Sequence, residues 1–312
     1  MTKDMWERVY LQSSNEVNAS TQNPHIWITD GADAGTYSLE GNYGCCTANM
    51  HAGWPKFTNA AIGIASNNTI INTIVIGLWA PITTVTPFGS VSIVTDYPFG
   101  DTATVTITPA TALTTLSVSL RIPSWAGEGS YTVNGGGGGS FSQVNGTFLT
   151  VSISPSTPTT FVIDFAPSIR LEPAYNGAVS ISRGALTYAV WIGQTITATE
   201  SYAYNSKDLD IRATTSSWNI ALSVDRTNPA ASLTFTRAFP PTAIPFNSTQ
   251  VPVYISGKGR VVTSWGAEKN APSAPPSSPA CAVTGACETD LIDIIFVPFG
   301  STHVRMTVIP TV

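Results

Sequence analysis

The sequence predicts a mainly β protein in which two antiparallel β-sandwiches follow a short helical segment. The chain has 25 glycines and 22 prolines among its 312 residues, which is typical of many short strands joined by turns. Apolar and polar residues alternate in several stretches after residue 65, as expected for half-buried strands. Helical crossovers of about 10 to 15 residues do not separate these stretches, which favours antiparallel over parallel sheets.

Charge and hydropathy argue against two classes of partner. The 14 Lys and Arg residues are outnumbered by 19 Asp and Glu residues, for a net charge of -5, so a nucleic-acid partner is not expected. No apolar run approaches the roughly 18 residues of a membrane span, so no membrane partner is expected either. The first residues, Met1–Arg8, contain no apolar core of a signal peptide.

Residues 1–64 are predicted to be helix and loop. One group of apolar residues near the start and a second group further along have helical spacing. The first group is Met5, Trp6, Val9 and Tyr10, and the second is Met50, Trp54, Phe57, Ala61 and Ile64.

Residues 65–170 are predicted to form the first sandwich. Leu116, Val118, Leu120 and Ile122 alternate with polar residues, which predicts that all four side chains point inward. The stretch Ala103 to Ile107 alternates in the same way. Turn residues between Asp96 and Asp101 predict a hairpin, and the run Gly135–Gly139 predicts a flexible loop tip. Further strands are expected at Phe148–Ile153 and Phe161–Phe165.

Residues 171–312 are predicted to form the second sandwich. Short apolar stretches separated by turn residues recur through this part of the chain. The predicted strands are Leu186–Val190, Ile220–Val224, Leu233–Thr236, Val251–Ile255, Leu291–Val297 and Val304–Ile309.

Two cysteines near the C-terminus predict a disulfide. Cys281 and Cys287 lie six positions apart, directly after the proline-rich stretch Ala271–Pro279, where a short surface loop can be closed. A disulfide is typical of an oxidising compartment. The N-glycosylation pattern points the same way and begins at Asn18, Asn67, Asn145 and Asn247.

The adjacent pair Cys45–Cys46 is the strongest candidate for chemistry. Neighbouring cysteines cannot easily bond to each other, because the ring across one peptide is strained. Two readings remain open, namely two buried inert thiols or a pair of metal thiolates. A helix that begins just after the pair would place the thiols near its N-terminus, and a bound Zn²⁺ would lower their pKa further. A thiolate held in this way is a competent nucleophile.

Three motifs resemble glycoside hydrolase family 127, the β-L-arabinofuranosidase-like proteins, and in particular their fungal relatives. The first is Asn42–Asn49 together with Gly53–Phe57, the second is Leu120–Ala126, and the third is Ser182–Ala189. In that family an (α/α)6 barrel precedes two β-sandwiches. The resemblance therefore implies that residues 1–64 are the end of such a barrel and that the chain is a C-terminal portion of a longer, secreted protein.

The resemblance also implies roles for the cysteine pair. Cys45 would be the nucleophile of a retaining glycosidase, and Cys45 and Cys46 would both bind Zn²⁺. The substrate would be an oligosaccharide or cell-wall polysaccharide with terminal L-arabinofuranosyl or similar sugars. The family's remaining zinc ligands, a Glu-x-Cys pair, and its acid/base lie upstream of the cysteine pair. Residues 1–44 contain no cysteine, and Glu40 and His51 are weak substitutes, so the chain alone is expected to be inactive.

A function of a different class fits the same sequence. The chain would then be a non-catalytic β-sandwich module that binds carbohydrate or has a structural role, with inert Cys45 and Cys46. An upstream reading frame with a signal peptide and a Glu-x-Cys pair would favour the enzyme, whereas an upstream stop codon would favour the module.

Overall fold

The structure is a computed structural model. It describes residues 8–10, 12–19, 32–39, 41, 43–67, 70–112, 115–142, 147–154, 156–203, 206–214, 217–242, 244–247, 250–268 and 271–312. This part of the chain holds 24 strands and two α-helices, so the predicted mainly β class is confirmed. The barrel remnant and the two-sandwich arrangement remain predictions.

The secondary-structure elements are numbered in chain order. The α-helices are α1 Gly44–Met50 and α2 Gly53–Ala61. The first strands are β1 Asn15–Glu16, β2 Asn18–Ala19, β3 Ile62–Asn67, β4 Ile70–Ile76, β5 Ile82–Thr86, β6 Gly89–Thr95, β7 Thr102–Pro109, β8 Leu116–Arg121, β9 Gly129–Val133, β10 Gly138–Phe141, β11 Phe148–Ile153 and β12 Thr159–Asp164. The remaining strands are β13 Ile169–Pro173, β14 Val179–Arg183, β15 Leu186–Trp191, β16 Gln194–Ser201, β17 Lys207–Ala213, β18 Ile220–Ser223, β19 Thr234–Arg237, β20 Val253–Val261, β21 Ala267–Glu268, β22 Ala271–Pro272, β23 Ile292–Pro298 and β24 Arg305–Met306.

The chain divides into two compact units. One unit is Asn49–Ser168, and the other combines the described part of Met1–Ala48 with Ile169–Val312. The N-terminal segment thus belongs to the same unit as the C-terminal strands.

The unit Asn49–Ser168 contains two sheets whose buried side chains form one hydrophobic cluster. The six-stranded sheet has the order β10-β9-β12-β7-β6-β5, and the four-stranded sheet has the order β11-β8-β4-β3. The predicted inward set Leu116, Val118, Leu120 and Ile122 is confirmed, since none of these residues is more than 2% exposed. The buried aromatic side chains of the cluster are Trp79, Phe161 and Phe165.

One pairing in this unit departs from the antiparallel prediction. Strands β4 and β8 run parallel, with Thr73 opposite Ser117 and Ile76 opposite Leu120. The chain returns in the same direction because β5, β6 and β7 of the other sheet form the crossover that a helix supplies in most parallel pairs. The sequence showed no helical crossover, and that observation was correct, but a crossover made of strands leaves no such signal.

The turns of this unit confirm one prediction and correct another. The Asp96–Asp101 turn joins β6 to β7, and the carbonyl of Asp96 accepts hydrogen bonds from the backbone of Phe99 and Gly100. The glycine run is a loop only as far as Gly137, because Gly138 and Gly139 belong to β10 and pair with β9. A Cβ atom on Gly138 would lie 2.0 Å from the carbonyl oxygen of Tyr131, so this strand pair approaches more closely than other residues allow.

The other unit is built on a nine-stranded sheet. Its main path is β1-β24-β15-β23-β20-β18, with β13 and β14 added beside β15 and β19 beside β20. A three-stranded sheet, β16-β17-β2, and the pair β21-β22 complete the unit. Both N-terminal strands are therefore held by strands from the C-terminal half of the chain.

Several predicted element boundaries were wrong for identifiable reasons. The second helical pattern ends at Ala61, and Ile64 lies in β3, where β-branched residues and Gly63 favour a strand over a helix. Arg8 is extended and exchanges backbone hydrogen bonds with Ser38, whereas Met5 and Trp6 lie outside the described residues. The last predicted strand shortens to Arg305–Met306, because the side chain of Asn15 accepts hydrogen bonds from the next two backbone amides.

No helix in the described part of the chain is long and apolar enough to cross a membrane.

Candidate functional site

Cys45 and Cys46 lie in the first turn of α1. The carbonyl of Tyr43 accepts hydrogen bonds from the backbone of Cys46 and Thr47 at 3.1 and 3.0 Å, and these bonds begin the helix. Both thiols are reduced and exposed, and their Sγ atoms are 3.7 Å apart. The reading of two buried inert thiols therefore does not describe this site.

The neighbouring thiol of Cys45 affects the ionisation of Cys46. The hydrogen bond with Cys45 raises the pKa of the Cys46 thiol, because it stabilises the protonated form, and partial desolvation and the charge of Cys45 add to the effect. A nearby positive charge would oppose this rise in the pKa of Cys46.

The separation of the sulfur atoms fits a shared Zn²⁺. A tetrahedral zinc with Zn–S bonds of about 2.3 Å places two thiolate sulfurs about 3.8 Å apart. The observed Sγ–Sγ distance of 3.7 Å matches this edge of the tetrahedron. Within the described ranges, however, no three His, Cys, Asp or Glu residues form a metal-binding group. His51 therefore does not complete a group of three with the cysteines, and Glu40 lies outside the described residues.

Aromatic side chains flank the cysteine pair in the sequence. Tyr43, directly before α1, stacks on Tyr10 with the ring centroids 4.1 Å apart. In α2, Trp54 and Phe57 are 53% and 45% exposed and meet edge to face. These two side chains form an exposed apolar pair, whereas Trp6 and Trp27 lie outside the described part.

A buried polar cluster, defined by Glu16, Tyr37 and Arg305, was missed by the sequence analysis. Arg305 is fully buried, and its Nη2 lies 2.8 Å from the hydroxyl of Tyr37 and 2.8 Å from the carbonyl oxygen of Thr302. Its guanidinium also stacks over the ring of Phe299, at 4.3 Å from the centroid. The cluster joins the N-terminal segment to β24, within one compact unit.

Glu16 is only loosely paired within this cluster. Its Oε2 lies 3.9 Å from Nη1 of Arg305 and accepts no hydrogen bond from the residues that the structure describes. Burial therefore dominates and raises the pKa of Glu16 from 4.5 to about 8, although Arg305 and the backbone of Ser13 oppose the shift. Burial likewise raises the pKa of Tyr37.

A weak signal for this cluster was present in the sequence. Arg305 is the only charged residue in the apolar stretch Val304–Ile309, and a charge in a buried strand needs a partner. Its hydrogen-bond partner Tyr37 is 268 positions away, so no local pattern could identify it.

The C-terminal cysteines form the predicted bond, since Cys281 and Cys287 are joined in a disulfide. The glycosylation sites are less uniform. Asn18 is only 7% exposed, so it is a poor acceptor for a bulky glycan. The side chain of Asn247 is engaged with the backbone of Ile244 and Gln250. The side chain of Asn67 and the whole of Asn145 lie outside the described residues.

Solved structures of glycoside hydrolases share the fold of this chain. A family 127 β-L-arabinofuranosidase from Geobacillus stearothermophilus T6 matches with a TM-score of 0.56 and 14% identity, over 86% of this chain and 38% of that chain. A glycoside hydrolase matches with a TM-score of 0.60 and 17% identity, over 98% and 45%. A second family 127 β-arabinofuranosidase matches with a TM-score of 0.54 and 14% identity, over 86% and 39%.

The matches establish the fold and its extent. The chain spans less than half the length of these solved structures. No protein-family model matches it, and no curated protein matches its sequence. The resemblance that was inferred from three motifs is thus confirmed as a likeness of fold to family 127 enzymes.

Proposed function

We propose that this chain is the C-terminal part of a retaining glycoside hydrolase that removes terminal L-arabinofuranosyl or similar sugars. Its substrates are oligosaccharides or cell-wall polysaccharides. The observation that carries the proposal is the reduced, exposed pair of thiols whose Sγ atoms lie 3.7 Å apart. The likeness of fold to family 127 arabinofuranosidases supports the same reaction.

The nucleophile in this proposal is Sγ of Cys45. Its thiolate attacks the anomeric carbon as the bond to the leaving oxygen breaks, and that oxygen takes a proton from a general acid. Water then attacks the same carbon, the carbon–sulfur bond breaks, and the thiolate is restored as a base takes the proton of the water. Two successive inversions leave the configuration of the sugar retained.

Cys45 and Cys46 would together hold Zn²⁺. When bound, this ion supplies the positive charge that keeps both thiols ionised, against the raised pKa of Cys46. A structural zinc site has four ligands, of which Cys45 and Cys46 would be two. The remaining ligands and the general acid come from upstream sequence, so the chain alone is inactive.

The proposal includes an arrangement of domains and a location. Residues 1–64 are the end of an (α/α)6 barrel, residues 65–170 are the first sandwich, and residues 171–312 are the second. The parent protein is secreted, which the disulfide Cys281–Cys287 supports because such bonds persist in oxidising compartments. Neither nucleic acid nor membrane is a partner.

Hydrolysis of an aryl β-L-arabinofuranoside tests this function. We expect no hydrolysis by the 312-residue chain, and hydrolysis by a longer protein expressed from the reading frame extended upstream. Cys45→Ser in the longer protein lowers kcat by more than about 10³-fold, because the nucleophile is lost. Cys281→Ser, the matched control, retains activity.

Full activity of the Cys45→Ser variant would reject the proposed nucleophile, and a stop codon directly upstream would favour the non-catalytic module. Hydrolysis by the 312-residue chain would reject only the statement that this chain lacks part of the site. A longer protein that binds arabinosyl polysaccharide without cleaving it would establish the alternative of a non-catalytic module.

A further inference from the structure

A cleft of about 320 Å³ lies where β1 faces the proline-rich loop after β22. Its volume is at the lower end of the range of small-molecule sites, which is about 300 to 1,000 Å³. The cleft therefore admits a small ligand or the end of a larger one. Its wall includes Ser13, Ser14, Tyr175, Pro272, Ser273 and Pro275.

Tyr175 presents an aromatic ring at this cleft. The side chain is available to a ligand, since the residue is 67% exposed. Asn176 adopts the left-handed conformation, with φ of 56°, and its side chain donates a hydrogen bond to the carbonyl of Pro275 at 2.9 Å. The backbone of Ser278 also bonds to the carbonyl of Asn176. Because asparagine tolerates this conformation, these bonds attach the backbone next to Tyr175 to the proline-rich loop.

The opposite wall is fixed as well. The backbone N–H and the hydroxyl of Ser273 both donate to the carbonyl of Gly266, and the indole of Trp265 donates to the carbonyl of Ser273. Prolines at 272 and 275 restrict the backbone further. Because both walls are ordered before a ligand arrives, binding would cost little conformational entropy.

The lining chemistry selects a neutral ligand rich in hydroxyl groups. None of the described residues that line the cleft carries a charge, so an anionic or cationic ligand would find no counter-ion there. Serine hydroxyls supply donors and acceptors, while the Tyr175 ring and the prolines supply apolar surface. A sugar ring has one polar edge and one face of C–H groups, and it matches this combination.

We propose that this cleft is a saccharide-binding subsite in which a neutral sugar ring stacks on Tyr175 and bonds to the hydroxyls of Ser13 and Ser14. This inference rests on the proposed function for the identity of the polymer, which is an arabinose-containing polysaccharide. The subsite is separate from Cys45 in the sequence and in its chemistry, and it would hold a chain that is cleaved elsewhere.

Titration of the protein with neutral arabino-oligosaccharides, followed by calorimetry, tests the subsite. We expect saturable binding that Tyr175→Ala weakens by about tenfold, as for removal of an aromatic anchor. Tyr175→Phe keeps the ring and binds normally. Tyr202→Ala, which removes a tyrosine of similar exposure at 56%, is the matched control and also binds normally. An acidic oligogalacturonide, used as the charged probe, does not bind.

The outcomes separate this inference from the proposed function. The titration is done in the Cys45→Ser, Cys46→Ser background, where the inference predicts unchanged binding because the thiols take no part. The subsite is overturned if Tyr175→Ala binds the oligosaccharide as tightly as the chain without that substitution, or if the chain without it does not bind at all. Neither result bears on the hydrolysis assay. Failure of that assay alongside Tyr175-dependent binding overturns the proposed hydrolase and leaves the subsite in place.

Discussion

Arg305 directs its short hydrogen bonds to oxygen atoms other than those of Glu16. Its Nη2 donates to Tyr37 and Thr302, while Glu16 Oε2 lies 3.9 Å from Nη1. The carboxylate is thus buried beside a charge that is already satisfied, so desolvation outweighs attraction. A hydrogen-bonded arginine next to a carboxylate need not hold it ionised.

The first prediction concerns the pH dependence of stability. The pKa of Glu16 rises from 4.5 to about 8 on folding, so between these values the folded chain holds a proton that the unfolded chain releases. As far as this group is concerned, the free energy of unfolding is therefore highest below pH 4.5. It falls as the pH rises from 4.5 to about 8. We expect a loss on the order of 2 to 5 kcal/mol between pH 5 and pH 8.

Glu16→Gln keeps the shape of the neutral side chain and removes the titration. In urea unfolding at the two pH values, the free energy of unfolding should decrease less for this variant than for the unsubstituted chain. The exposed control Glu288→Gln should show the same decrease as the unsubstituted chain. Equal pH dependence in all three proteins would show that Glu16 is ionised in the folded chain.

The candidate site and this cluster differ in how far the sequence could predict them. Cys45 and Cys46 are adjacent, so the sequence alone places the two thiols together. The pairing of β1 with β24 places Glu16 opposite Arg305, and Tyr37 is held by a separate bridge to Leu209. Long-range pairing of such short strands has no periodic signal.

At the scale of elements, alternation in β8 was sufficient to predict which side chains are buried. Leu120 has no exposed surface, so Leu120→Ala should lower the free energy of unfolding by about 2 to 5 kcal/mol, through lost contacts and the cavity that remains. Val85 in β5 is 81% exposed, and Val85→Ala should change the free energy of unfolding by less than about 0.5 kcal/mol. Urea unfolding compares the two, and similar losses would contradict the assigned facing of β8.

The glycine run provides a second prediction at this scale. A Cβ on Gly138 would lie 2.0 Å from a backbone oxygen of β9, whereas one on Gly137 would meet nothing within 4 Å. Gly138→Ala should therefore lower the free energy of unfolding by roughly 1 to 3 kcal/mol, as for an overpacked site. Gly137→Ala should be neutral or slightly stabilising. The same thermal melt measures both variants, and a harmless Gly138→Ala would mean that β10 does not pair as described.

Element boundaries were less predictable than element type. The helical spacing of Met50 to Ala61 was correct, but it continued by chance to Ile64, which lies in β3. The strand expected at Val304–Ile309 stops after Met306, because a side chain from the N-terminal segment takes the backbone amides. Both errors arise from tertiary contacts that a window of neighbouring residues does not contain.

At the scale of the whole molecule, the fold and the proposed chemistry are supported by different observations. The likeness to glycoside hydrolases covers 86% to 98% of this chain at 14% to 17% identity, which describes the fold. The chemistry rests on two thiols at a spacing that suits one metal ion. The proposed cleavage of glycosides therefore depends on whether Cys45 and Cys46 act as a metal thiolate pair.

Alkylation of the thiols with and without Zn²⁺ tests this most directly, in the longer protein whose upstream sequence supplies the remaining ligands. Peptide mass spectrometry after iodoacetamide treatment follows Cys45 and Cys46 separately, and the disulfide-bonded Cys281 and Cys287 should stay unlabelled as internal controls. We expect Zn²⁺ to slow alkylation of both thiols by about tenfold or more, and Cys45→Ser to abolish the protection of Cys46, because the two ligands act together. Alkylation of both thiols at the same rate with and without Zn²⁺ would contradict the metal thiolate site.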